Sequence, residues 1–428
     1  MALEIPDHDQ RYALVNELHA RPFPVLWAPC SAVYVAVKEP LEAHNRDRIA
    51  DRNHLLALLD RYGSAHPQPG ATHFSGPIGR AELKWESHTE FVTYSAFSPG
   101  VSARPFDPAE AEALPTEWLA DAPGRRLVSL LIRVEPMPAD AADMLKRIDD
   151  WFVAESLAVA SVVDGAAIVA GDFRIDAAGH MRFAVFVRDD VGERRMGRIV
   201  QRLCEIETYR AMAMLGLTRA RELSARLNAL DPRLSALVAG LDTRAHSAEG
   251  LLEDLLDISA ELESLAVRYS FRFGATAAYE AIVNQRIAVL REERVAGRQT
   301  FGEFMMRRFD PAMRTVKSTE ARLRTMAERA ARAAELLRTR VDVERSAQNQ
   351  RLLESMDRRA DLQLRLQHTV EGLSVVAISY YAVSLAGYAA YPFGKAAGLS
   401  KEMLTAMLVL PVIGAVWWMI RRIRKAMH

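Results

Sequence analysis

Two apolar stretches close the chain, residues 372–391 (GLSVVAISYYAVSLAGYAAY) and 403–420 (MLTAMLVLPVIGAVWWMI), and neither contains an acidic or basic side chain. About 20 apolar residues span the hydrocarbon core of a bilayer, with a lower limit of roughly 17. These lengths, and the charges beside them, favour a bilayer over a helical hairpin buried in a soluble core. The 11 residues between the stretches, PFGKAAGLSKE, are too few to fold alone but enough for a tight loop. An antiparallel hairpin follows, with both of its ends on one side of the membrane. Arg421, Arg422, Arg424 and Lys425 come directly after the second stretch, whereas the loop offers only Lys395 and Lys401. Such a bias marks the cytoplasmic side, so both termini are expected there. Trp417 and Trp418, one turn before the basic tail, sit where indole rings rest at the headgroup level and serve with Arg421 and Arg422 as interface anchors.

The first stretch carries hydroxyls that a lipid-facing helix would not need. Ser374, Tyr381 and Tyr388 recur every seven residues, and Ser384 interleaves with them, so most of the hydroxyls share one stripe. This stripe is a candidate pore lining or helix seam facing other copies of the chain. The alternative is that each serine bonds its own i−4 carbonyl and the tyrosines sit at the interface. Ala382, Ala386 and Ala390 repeat every four residues on a different face, close to Ser379, a small-xxx-small pattern that admits a second helix.

Upstream, Asp310 and Pro311 read as a helix start, and no glycine or proline follows from Ala312 to Glu371. A continuous helix from there to Tyr391 would be on the order of 120 Å long. Leu323, Met326, Ala330, Ala333, Leu337 and Val341 keep steps of three and four, and a second run passes through Leu352, Met356 and Leu366. Such stripes need partner helices. The interleaved arginines and glutamates of residues 320–345 read as a solvated, ion-paired face. Two more amphipathic helices, one ending near Pro232 and one covering Ser247 to Arg294, complete a helical bundle or coiled-coil stalk over residues 191–371.

Residues 1–190 alternate short β-branched and aromatic runs with helical ones. Strands are expected at 31–37, within 81–97, at 126–134 and in three runs between Ala158 and Val187; helices are expected at Leu41–Tyr62 and Ala139–Glu155. The fold class is α+β: an N-terminal α/β sheet domain (1–190), a stalk (191–371), a two-helix transmembrane hairpin (372–420) and a basic tail (421–428). Antiparallel pairing is expected at 81–97 and 166–187.

The 55 basic and 55 acidic side chains balance, so no global field draws the chain to nucleic acid. Cys30 and Cys204 are far apart and outside any CxxC spacing, which argues against disulfides and thiolate zinc. The start, MALEIPDHDQ, lacks the basic and apolar regions of a secretory signal. Dinucleotide, P-loop, HExxH and GxSxG fingerprints are missing, so no catalytic residue and no cofactor is assigned. Seven of the 11 histidines precede residue 90, but none stands three or four from another, and dispersed histidines are favoured over a metal site.

The densest polar cluster is RYALVNELHARPFP, where Asn16, Glu17, His19 and Arg21 fall within six residues. It could hold a small anion or another subunit, although a local Glu17–Arg21 pair and a turn-fixing His19 explain it more simply. With the helical middle and the apolar hairpin, this stretch resembles the DUF3422 family of bacterial membrane-anchored proteins, a likeness that covers nearly the whole chain. The resemblance implies a bacterial inner-membrane protein and brings no activity with it. The architecture is also similar to that of the two-span magnesium channels of the CorA type, pentamers whose first span lines the pore. Their Gly-Met-Asn signature is replaced here by GYAAYPFG. The expected function is a homo-oligomeric membrane-anchored scaffold or interaction protein whose partners are the lipid bilayer and its own copies; the alternative is an oligomeric ion channel or transporter.

Overall fold

The structure is a computed structural model that describes residues 5, 7–17, 22–40, 46–241, 247–396 and 400–427. The fold is α+β. In chain order the elements are α1 (Arg11–Glu17), β1 (Cys30–Lys38), α2 (Arg48–Tyr62), β2 (His73–Ile78), β3 (Ala81–Ser87), β4 (Phe91–Pro99), α3 (Thr116–Ala120), β5 (Arg125–Pro136) and α4 (Ala141–Trp151). There follow β6 (Ala158–Val162), β7 (Ala167–Ile175), β8 (Met181–Val187), α5 (Glu193–Gly240), α6 (Ala248–Leu290), β9 (Glu293–Arg294), α7 (Phe301–Arg308), α8 (Asp310–Ala396) and α9 (Lys401–Met427). Short 3-10 turns at Pro108–Ala113 and Ala154–Ser156 complete the set. Two compact units result: Met1–Thr243 with Glu253–Ala333, and Arg244–Leu252 with Ala334–His428.

The first unit is built on one nine-stranded sheet in the order β2-β3-β4-β1-β5-β8-β7-β6-β9. The strand pairs are antiparallel except β5 with β8, which run parallel. The antiparallel pairs expected at 81–97 and 166–187 are both present. Alternation along the strands sends Val33, Val35, Leu83, Trp85, Val92, Tyr94 and Ala96 to one face, where they form a core with Leu55, Leu58 and Leu59 of α2 and with Trp118 of α3. Tyr34, Lys84 and Ser95 point the other way. They are register partners across three adjacent strands, and they face α5.

α5 approaches the rest of the unit closely at two glycines. A β-carbon on Gly197 would stand 1.7 Å from the Pro24 carbonyl oxygen, and one on Gly216 would stand 2.2 Å from Thr276 Oγ1 of α6. α6 runs antiparallel to α5, with Arg286 paired to Glu205 and Thr276 beside Ala213. The start of α8 runs parallel to α5, clasped by Arg322 on Asp231 and Asn228 and by Arg329 on Asp231 and Ser235. These two arginines therefore join helices instead of decorating a solvated face.

Several expected boundaries move. α5 does not stop at Pro232 but carries it inside the helix, because the buried stripe Leu227, Leu230 and Leu234 continues across it. Packing on that stripe offsets the one lost donor. α6 ends at Leu290 rather than Arg294; Arg291 adopts φ 47°, and Glu293 and Arg294 leave the helix to pair with β6. α8 starts at Asp310 as expected, but it is preceded by the short α7, which starts at a capping box in which Thr300 and Glu303 exchange side-chain and backbone bonds. Glu292 accepts from the next two amides, Phe301 and Gly302, at 2.9 and 2.8 Å. α2 begins at Arg48 behind an Asp47 cap, and the expected helical positions 41–45 lie outside the described residues. α4 spans Ala141–Trp151, shorter than expected, and the strands β2 and β9 were not anticipated.

In the second unit, α8 continues past Tyr391 and through Pro392 to Ala396, so helix replaces the first part of the expected loop. Residues 342–370 of α8 are exposed throughout. Further on, Val375, Ser379 and Val383 of α8 line one groove with Val409 and Ile413 of α9. Ser384, Tyr388 and Tyr391 line another with Lys401 and Thr405.

Candidate functional site

The sheet face beneath α5 is apolar around β5 and β8, where Leu130, Ile132, Phe183 and Val185 are buried, and polar toward β3 and β4. At the polar end lies a cavity of about 240 Å³. Its floor is Tyr34, Lys84, Glu86 and Ser95 from the strands; its roof is Gln201, Cys204, Glu205 and Thr208 from α5, with Arg286 from α6. Strand alternation puts Lys84 and Glu86 on one face, and steps of three and four put the α5 side chains on one stripe.

A chain of polar contacts crosses the cavity. Lys84 Nζ lies 3.3 Å from Glu86 and donates to Gln201 at 2.9 Å. Gln201 donates to Glu205 at 2.8 Å, and Arg286 Nε donates to the other oxygen of Glu205. Tyr34 and Thr208 share a hydroxyl hydrogen bond of 2.7 Å. Ser95 is only 6% exposed, and its hydroxyl bonds no other side chain or backbone group among the described residues. The rings of Phe91 and Phe97 supply apolar wall. Burial pushes the Cys204 thiol well above the ordinary thiol range, so it stays protonated and is a poor nucleophile at neutral pH.

At the rim, Glu90 is buried, ion-paired with Arg272 and hydrogen-bonded by the Tyr279 hydroxyl at 2.9 Å. Tyr279 stacks on Tyr209, a cavity-lining residue, with centroids 5.6 Å apart. Burial holds the Lys38 ammonium below its usual range, with Arg272 adding to the shift and Glu90 opposing it.

Residues 6–427 match the model of a family described as a protein of unknown function (DUF3422). The chain belongs to the DUF3422 family. No curated protein matches this DUF3422 chain.

Of the residues singled out in the sequence, Asn16 and Glu17 end α1, while His19 and Arg21 lie outside the described residues. On α8, Ser374, Tyr381 and Tyr388 are exposed and Ser384 is half-buried. On α9, Arg421 sits 5.0 Å over the Trp417 ring and Arg422 5.4 Å over Trp418. Two helices are long and apolar enough to cross a membrane, with the apolar windows in Phe301–Phe393 and Lys401–Ile423. The cavity was not anticipated. Its signal was a polar stripe, Gln201, Glu205 and Thr208, on the helix face that also buries Gly197, Cys204 and Met212.

On the far face of the sheet His54 is buried between Tyr94 and Trp118. Its Nε2 lies 2.8 Å from the Trp118 carbonyl, so Nε2 carries the proton and Nδ1 accepts from the Tyr94 hydroxyl at 2.9 Å. Burial lowers its pKa, against a smaller raising effect of the Trp118 carbonyl; His180 is lowered by burial as well. The unfolded chain therefore takes up these protons first. Their contribution to stability is complete above about pH 6.5 and is lost as the pH falls from there through the lower folded values. Urea unfolding at pH 7.5 and 5.5 should show this loss, and a smaller loss in His54→Gln.

Proposed function

We propose that this DUF3422 protein is a membrane-anchored interaction protein of the bacterial inner membrane. In this reading its two apolar helices form a hairpin with both chain ends in the cytoplasm, and copies assemble along α8. The observation that carries the membrane part is apolar exposure: Leu373, Leu385 and Leu410 are 68%, 70% and 79% exposed on helices with almost nothing buried. Soluble surfaces rarely tolerate a contiguous apolar area of that kind. Tryptophans stacked under arginines at the end of α9 suit a headgroup layer, and the Lys and Arg bias suits an inward-facing tail.

Assembly of copies is supported by α8 itself. Leu352, Met356, Leu366 and Val370 are exposed along the unpartnered length, and Ser374, Tyr381 and Tyr388 continue outward beyond them. A hydroxyl left unpartnered in hydrocarbon costs on the order of a few kcal/mol, which a neighbouring α8 would remove. The alternative, an oligomeric ion channel, uses the same exposed hydroxyl stripe, with Ser374, Tyr381, Ser384 and Tyr388 turned toward water on a central axis.

Membranes washed with alkaline carbonate should retain the protein, and detergent should release it as an oligomer by mass measurement. A fluorescent protein fused after His428 should fluoresce, as expected for a cytoplasmic tail. Free solubility without detergent refutes the anchor. Purified protein in liposomes separates the two readings: ion flux that Ser384→Leu abolishes while the oligomer persists selects the channel, and no flux selects the interaction protein.

A further inference from the structure

The cavity under α5 lies wholly within the sheet unit, and its chemistry is specific enough to name a ligand class. Four charged side chains line it, Lys84, Glu86, Glu205 and Arg286. Their formal charges cancel, two positive against two negative. A ligand of net charge would leave an uncompensated charge in a site where Lys84 is only 6% exposed. The polar chain across the cavity also has capacity left at both ends. Glu86 uses one carboxylate oxygen on Lys84, and among the described residues the other takes no hydrogen bond or ion pair. Ser95, beside Lys84 in the strand register, has a hydroxyl with no hydrogen-bond partner among the described residues. At the opposite end, among the described residues, only Nε of Arg286 is engaged, and Lys84, next to Glu86 and reaching toward Gln201, has one proton beyond those directed at these two.

The Glu86 end thus has room for a second cationic donor and the Arg286 end for a second anionic acceptor. Phe91 and Phe97 offer an apolar surface beside them. A cavity of roughly 150 Å³ holds a benzene ring, so one of 240 Å³ suits a molecule of on the order of ten non-hydrogen atoms. We propose that the cavity binds a small zwitterion of the free amino acid class with an apolar side chain. Its ammonium goes to Glu86 and Ser95, its carboxylate to Arg286 and Lys84, and its side chain to Phe91 and Phe97. A simple anion would meet two carboxylates and a simple cation would meet Lys84 and Arg286, so each is matched at only one end.

The test is isothermal titration of the full chain in detergent with leucine and phenylalanine. Their N-acetyl derivatives, which lack the cation, their amides, which lack the anion, and inorganic phosphate serve as comparisons. The expected result is binding of at least one free amino acid, with each derivative at least tenfold weaker and phosphate silent. Glu86→Gln should weaken the free amino acid at least tenfold. Should that variant fail to fold, Ser95→Ala, which removes the hydroxyl at nearly constant volume, should weaken it severalfold. The proposal is overturned if neither amino acid binds at millimolar concentration, if an N-acetyl derivative or phosphate binds as tightly as the free amino acid, or if a folded variant binds like the parent.

Discussion

Replacing Glu90 with alanine is expected to cost about 3–5 kcal/mol of folding stability, the usual consequence of removing one partner of a buried ion pair. Glu90 is 2% exposed, and it alone receives both Arg272 and the Tyr279 hydroxyl from α6. Without it the Arg272 guanidinium stays buried and unpaired. Lys38, already held below its usual range by burial and by Arg272, loses the carboxylate that opposes the shift. Two cations would then face each other between the sheet and α6. Glu90→Gln keeps an acceptor for Tyr279 without the charge and should fall between the two. Urea unfolding followed by near-ultraviolet circular dichroism measures both; a loss under about 1 kcal/mol for the alanine variant, the range of exposed pairs, would show that the contact is a surface one.

Trp118→Ala is expected to be comparably damaging, about 3–5 kcal/mol, as for large aromatic-to-alanine changes in cores. The ring stacks on His54 with centroids 4.0 Å apart and meets Tyr94 edge-on at 4.9 Å. Its indole N–H donates to the His54 carbonyl at 2.8 Å, and its own carbonyl accepts from His54. The substitution removes the ring and one buried donor together, and the cavity opens next to a histidine that packing keeps neutral. Trp118→Phe retains most of the ring but not the donor and should cost clearly less. Equal losses for the two would mean that the hydrogen bond, and not the volume, dominates.

The sheet was legible because its strands are short, β-branched and aromatic: SAVYVAV, AELKWES and MRFAVFV each fall inside β1, β3 and β8. β2 was hidden by its glycine and proline in HFSGPI, which depress strand propensity; pairing with β3 overrides that. β9 is two residues long and exists only because the chain leaving α6 passes the edge of β6. Pro232 reads as a stop because proline usually ends a helix, but the buried leucines on either side of it stabilise the helix more than one missing hydrogen bond costs. Asp310 and Pro311 marked the start of α8, whereas the capping box at Thr300, with Glu303 three residues on, was readable but passed over, and with it the short α7.

By itself the sequence determined the features that depend on neighbours along the chain: the apolar lengths of the last two helices, the basic residues after Trp417 and Trp418, the strand runs and the α+β class. Hydropathy and period are local properties, and twenty consecutive apolar residues carry the same meaning wherever they fold. Tertiary structure alone decided the cavity. Lys84 and Glu86 on β3, Ser95 on β4, Gln201 and Glu205 on α5 and Arg286 on α6 are separated by up to two hundred residues, and they converge only because β3 and β4 pair in one register and Gly197 and Gly216 let α5 come close. Each of those charges looks like ordinary surface in the linear chain, and burial is what gives them a shared purpose.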